Sequence, residues 1–302
     1  MGCRSVVVAA LVGAALVLGS ASATGAPGSS PASGGDGTRR VALGDSWAAG
    51  TAAGEVEAAS GTCRRSPRAY PAVVARAAGE TSWTSRACAS ATGGGNGQFT
   101  SLGPETEVVT ATVGADATGL GALASACSAQ GSAARCDDAT TRFDRALTSL
   151  PRALDASLAD IRKRAPRAAI TFVGYPLLAE GRACPSGPAD ATRAARLDDA
   201  VTRLDAALAA RVAAAGMRFV DVRSAFAGHG VCAPDPWLTP LTGPDALLAG
   251  GATATGHALG VLPALAAPAP TTPTPTTPSP TRPAAPPSDG RRDDPPAPLF
   301  PG

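Results

Sequence analysis

The sequence predicts an α/β domain, a three-layer α/β/α sandwich around a parallel, flavodoxin-like sheet. Three observations carry that expectation. Short apolar runs alternate with stretches of three- and four-residue hydrophobic periodicity, the pattern of strands followed by covering helices. The apolar runs stop at glycine or proline, as strands that feed tight turns do. Hydrophobic residues make up 44% of the 302 positions, enough for one sizeable core, yet aromatics supply only 4%, so that core is built from Ala, Val and Leu.

Taken in order, residues 40–43 (RVAL) read as a short buried strand that runs into Gly44-Asp45-Ser46. Residues 107–113 (EVVTATV) give a second strand and residues 168–173 (AAITFV) a third, the latter stopped by Gly174 and Pro176. A fourth spans residues 217–222 (MRFVDV). Helical spacing marks residues 140–164, where Phe143, Leu147, Leu150, Leu154, Leu158 and Ile161 recur on one face. A second helix is expected from Pro188, a favourable first-turn residue, through Leu197, Val201, Leu204, Leu208 and Val212, with Gly216 closing it. In such a sheet, ligands sit at the carboxyl ends of the strands.

Both termini read differently from this domain, which is expected over residues 39–266. Residues 1–23 have the order of an export signal: Arg4, an apolar run from Val6 to Leu18, then the small-residue site Ala21-Ser22-Ala23. The run falls short of the ~20 apolar residues that span a bilayer, so no integral membrane segment is expected after cleavage. Residues 24–38 read as a flexible spacer. Residues 267–302 are dense in proline and nearly lack apolar residues, the composition of an extended, disordered tail or wall-spanning spacer. Secretion follows as an expectation, with cell-wall association open.

The net charge of +2 is scattered, with no basic face for nucleic acid. Once Cys3 leaves with the signal, six cysteines remain: Cys63, Cys88, Cys127, Cys136, Cys184 and Cys232. An even number in an exported chain reads as a disulfide framework with fifteen formal pairings. Spacing favours Cys127–Cys136, and chain order suggests Cys63–Cys88 and Cys184–Cys232. With no C-x-x-C and two histidines, His229 and His257, no metal site is expected, and no motif calls for a cofactor.

The chemistry concentrates at Ser46. A serine on a sharp strand-to-helix turn holds its hydroxyl at the sheet's edge, beside backbone N–H groups that suit an oxyanion. The surrounding VALGDSWAAG (residues 41–50), Ala87-Cys88, VGYP (residues 173–176) and DVRSAFAGHGVCAPDPWL (residues 221–238) together resemble the SGNH, or GDSL-type, hydrolases, specifically the secreted actinomycete lipases and esterases. The likeness runs from about residue 41 to 265 and also supports the three disulfide pairs above. It implies hydrolysis of carboxylic esters through an acyl-enzyme on Ser46.

Position by position, the resemblance also exposes departures. Ser90 stands at the glycine whose N–H serves the oxyanion. Asp116 stands at the asparagine whose amide does so, and an ionised carboxylate can only accept. The catalytic histidine's place, fourteen residues after Trp237, falls on Gly251. His257, six residues on, and His229, in the late loop, are the candidate substitutes; Asp235 and Asp245 are candidate orienters of an imidazole. Three readings stay open: an impaired hydrolase or envelope protein that binds an ester, acyl or glycan ligand; an active esterase with a relocated base; and a wall protein whose tail matters most. A monomer is expected in each.

Overall fold

The computed structural model describes residues 39–89 and 97–267. The segments expected as export signal and spacer, Ser90, and all but the first residue of the proline-rich segment lie outside the described residues.

Five strands form one wholly parallel sheet: β1 (Arg40–Gly44), β2 (Trp83–Ser85), β3 (Val108–Thr112), β4 (Ala169–Val173) and β5 (Arg218–Val220). Their spatial order is β2-β1-β3-β4-β5, the flavodoxin-like order. The chain steps outward from β1 to β2, then crosses back to place β3 on the other side of β1. That reversal opens a crevice between the carboxyl ends of β1 and β3, where ligands bind in such sheets.

In-register residues of a parallel sheet share a face. Leu43, Ala111 and Phe172 are in register and face one helical layer. The longest helix, α5 (Ala133–Arg164), covers them with Leu150, Leu154 and Ile161. Beside it lies α6 (Ala191–Ala214), whose Leu197, Val201, Leu204, Leu208 and Val212 are buried. On the opposite face, Val108, Thr110 and Thr171 lie beneath α2 (Tyr70–Ala77) and α7 (Leu262–Ala266). Each leucine or phenylalanine so buried contributes about 1.5–3 kcal/mol, which is how an aromatic-poor core holds. Three shorter helices complete the fold: α1 (Ser46–Ala49), α3 (Ala115–Thr118) and α4 (Leu120–Cys127).

Several bounds differ from the sequence expectation, each for a local reason. The long helix starts at Ala133 because the Ser132 hydroxyl caps it, accepting the Arg135 N–H. It continues past Pro151, so one ladder hydrogen bond is forgone in its interior. The second helix starts at Ala191, capped by Asp190, which accepts the Arg193 N–H. Pro188 instead lies in an antiparallel bridge with Ser128. Edge strand β2 and helix α2 gave no sequence signal: three residues are too few for alternation, and Tyr-Pro at a helix start resembles a loop.

Three disulfides join Cys63 to Cys88, Cys127 to Cys136 and Cys184 to Cys232. The second ties the end of α4 to the first turn of α5. The first anchors the segment behind the Ser46 turn: the Cys88 N–H donates to the Gly44 carbonyl at 3.0 Å, and the Ala89 N–H to the Cys63 carbonyl at 3.1 Å.

Gly44 itself leaves no room for a side chain. Its φ is +134°, and a Cβ there would sit 2.2 Å from the Thr112 carbonyl oxygen, with no flexible group able to yield. Gly44→Ala is therefore expected to destabilise the protein by about 3 kcal/mol or more, from backbone strain and overpacking together. A denaturant titration shifted by less than 1 kcal/mol would contradict this.

Candidate active site

The site is built where β1 and β3 end. The Asp45 N–H donates to the Thr112 carbonyl at 2.9 Å, which binds the Ser46 turn to the neighbouring strand. Gln98, wholly buried, clasps Gly44 from behind: its Oε1 accepts the Gly44 N–H at 2.7 Å and its Nε2 donates to the Gly44 carbonyl at 2.9 Å. Asp45 then caps α1 by accepting the Trp47 N–H at 3.1 Å. Gly50, at φ +71°, ends the helix after one turn, so Ser46 is carried on a short, rigid corner.

Asp45 also organises the facing loop. Its Oδ2 accepts the Tyr175 hydroxyl at 2.7 Å and the Ala115 N–H at 3.1 Å. The same Ala115 N–H reaches the Tyr175 oxygen at 3.0 Å, so it is shared. Tyr175 in turn donates its backbone N–H to Asp205 on α6, at 3.1 and 3.2 Å to the two oxygens. This chain fixes α3 against α1. Burial, reinforced by the nearby Asp116 charge, pushes the Asp45 carboxyl well above the usual carboxylate range. Burial, with a smaller contribution from the Asp221 charge, pushes Asp205 up to about 7. Gln98, Asp45, Tyr175 and Asp205 were not singled out in the sequence; a glutamine, a tyrosine and aspartates without a motif carry no sign of the partners the fold will bring them.

At the centre, Asp116 grips Ser46 with both carboxylate oxygens. Oδ1 accepts the Ser46 hydroxyl at 2.6 Å and Oδ2 accepts the Ser46 backbone N–H at 3.0 Å. Among the described residues, Asp116 is the hydrogen-bond partner of that hydroxyl. The pair lines a cleft of about 310 Å³ whose other walls include Trp47, Leu120, Leu178, Leu247 and Gly250.

The two histidines of the chain lie elsewhere. His257 is fully buried in a π-helical turn, Gly256–Val261, packed against Trp47 and Tyr70, and among the described residues neither of its ring nitrogens has a hydrogen-bond partner. Burial lowers its pKa to about 3. His229 stacks on the Trp237 indole with ring centroids 3.5 Å apart and holds the Asp235 carbonyl at 2.8 Å through Nδ1. Neither imidazole lines the cleft or hydrogen-bonds Ser46, so the expectation that one of them serves as base finds no supporting geometry. Asp235 accepts the Trp237 indole N–H and its carboxylate stands 3.7 Å from the His229 Nδ1, while Asp245 pairs with Arg64 at 2.6 Å.

Gly251 follows the cleft residue Gly250 and is held by its carbonyl, which accepts the Thr239 N–H at 2.9 Å. A Cβ at Gly251 would stand 2.5 Å from the Ala52 methyl group. The space a longer side chain needs there is taken by Ala52.

Residues 42–243 match the model of the GDSL-like Lipase/Acylhydrolase family. The chain belongs to that family. A lipase of Streptomyces rimosus is 33% identical over 231 residues, which is 76% of this chain and 85% of the relative. Lipase 1 of Streptomyces coelicolor is 32% identical over 74% of this chain and 84% of its own length. Among solved structures, phospholipase A1 from Streptomyces albidoflavus NA297 superposes with a TM-score of 0.69 at 32% identity, covering 75% of this chain and 97% of that one. The extracellular lipase from Streptomyces rimosus gives 0.69 at 33% identity with the same coverage. As a GDSL-like lipase/acylhydrolase, the protein has the five-stranded parallel sheet of these relatives, with Ser46 at the turn after its first strand. Among the described residues, no helix is long and apolar enough to cross a membrane.

Proposed function

We propose that the protein is an exported GDSL-like lipase/acylhydrolase relative that keeps the acyl cleft but performs acyl transfer poorly. One observation carries this reading: the partner of the Ser46 hydroxyl is a carboxylate that also takes the Ser46 N–H. A serine nucleophile needs a base whose pKa lies near the working pH, and an aspartate at a family asparagine position is a far weaker one than imidazole. The Ser46 N–H is also one of the donors that would meet a developing oxyanion, and here it already satisfies an anion. An ester carbonyl entering the cleft would turn its oxygen toward negative charge. Losing one oxyanion donor costs about 10²–10³ in rate, and losing the base of a serine nucleophile about 10⁶, the two being non-additive.

Export is supported by the signal-like residues 1–23, by three disulfides in a domain of this size and by the extracellular Streptomyces rimosus relative. The same reading has a monomer whose proline-rich segment serves as a spacer in the envelope.

The test is covalent labelling of the purified protein with a fluorophosphonate probe, alongside nitrophenyl butyrate hydrolysis. Labelling is expected to be no greater than in Ser46→Ala, and background hydrolysis the same in both. Rapid labelling that disappears in Ser46→Ala would sink the reading and restore a working hydrolase.

A further inference from the structure

Among the described residues lining the cleft, Asp116 is the sole ionisable one; the others are aliphatic residues, glycines, Trp47 and Ser46. A mostly apolar cleft with one fixed negative charge at its head selects ligands by the sign and hydrogen-bonding sense of their own head group. A fatty carboxylate or an ester brings oxygen lone pairs toward a carboxylate, and neither can donate a proton to it. An ammonium brings three donors and the opposite charge. The Ser46 hydroxyl spends its proton on Asp116, so its oxygen still offers lone pairs to a second N–H of the same head. Trp47 lines the same space.

We propose that the cleft binds a small amphiphile with an apolar chain and a cationic head, an alkylammonium. The head rests on Asp116 and Ser46, and the chain lies along Leu120, Leu178 and Leu247. This rests on the reading of a retained cleft with lost acyl-transfer chemistry. It goes further by reversing the head-group charge that an acyl-binding relative would favour.

The test is calorimetric titration of the purified full-length protein with octylammonium, octanoate and methyl octanoate. Octylammonium is expected to bind about 10–100-fold more tightly than octanoate. Asp116→Asn is expected to weaken octylammonium binding by about tenfold or more and to leave methyl octanoate unchanged or tighter. Equal or tighter binding of octanoate, absence of octylammonium binding, or an Asp116→Asn variant that holds octylammonium as before would each overturn the proposal. Should that variant not fold, the ratio measured on the unaltered protein decides. Ser46-dependent hydrolysis of methyl octanoate in the same samples would refute the impaired-enzyme reading, while the ammonium preference stands or falls on its own titration.

Discussion

Ester hydrolysis by the triple variant Ala52→Gly, Asp116→Asn, Gly251→His is expected to exceed that of the unaltered protein by about 10³-fold or more. Each substitution answers one feature of the site. Asparagine at residue 116 replaces an acceptor by an amide that donates to an oxyanion, and it loosens the grip on the Ser46 N–H and hydroxyl. Histidine at residue 251 supplies a base on the loop that already borders the cleft through Gly250. Glycine at residue 52 removes the methyl group that stands 2.5 Å from where the new Cβ must go. The Gly251→His, Asp116→Asn pair in the Ala52 background is therefore expected to gain much less, because overpacking costs about 1–3 kcal/mol and tilts the new ring away. Nitrophenyl butyrate turnover, repeated with Ser46→Ala added to the triple variant, measures the gain. A folded triple variant with no Ser46-dependent turnover would show that more than these positions separates the site from its relatives.

Much of this was legible before any coordinates. The strand-turn-serine of residues 40–46 is local chemistry: an apolar run, a glycine and an N-cap aspartate leave few alternatives. The stripes of α5 and α6 were equally clear, since long helices repeat their signal over many turns. The expected departures at residues 116 and 251 rest on the family resemblance, which supplies a pattern to depart from. What was hidden is what only three dimensions bring together. Asp205, Tyr175 and Asp45 are distant in sequence yet make one hydrogen-bonded line to the site. Gln98 reads the backbone of Gly44 across 54 positions. Ala52 seemed one more small residue until its methyl group proved to fill the space beside Gly251. His257 belongs with these. Its place in the last helix was readable, but the helix turns it into the core instead of toward the cleft.

That buried imidazole gives the other large expectation, an acid-sensitive fold relieved by His257→Leu. Among the described residues, the ring packs against Trp47 and Tyr70 with both nitrogens unpartnered, and burial is what disfavours its positive charge. Folded, it gains a proton at about pH 3, whereas in the unfolded chain it does so near 6.5. Between those values the unfolded state binds the extra proton, so stability falls as pH drops below 6.5, by about 1.4 kcal/mol per unit, and levels off near pH 3. Asp45 and Asp205 act in the opposite sense. Their carboxyls are held above the usual range, so the fold keeps protons that the unfolded chain releases, and stability falls as pH rises through that region. The unaltered protein reports the sum, but the difference between it and His257→Leu isolates the imidazole, because both carry the same aspartates. At pH 7.5 the leucine variant is expected to be more stable by about 1–2 kcal/mol, having lost two unsatisfied buried nitrogens. By pH 4 that margin should widen by about 3 kcal/mol. Urea unfolding at the two pH values measures both margins, and parallel stability curves would mean that the imidazole finds a proton-stabilising partner in the fold.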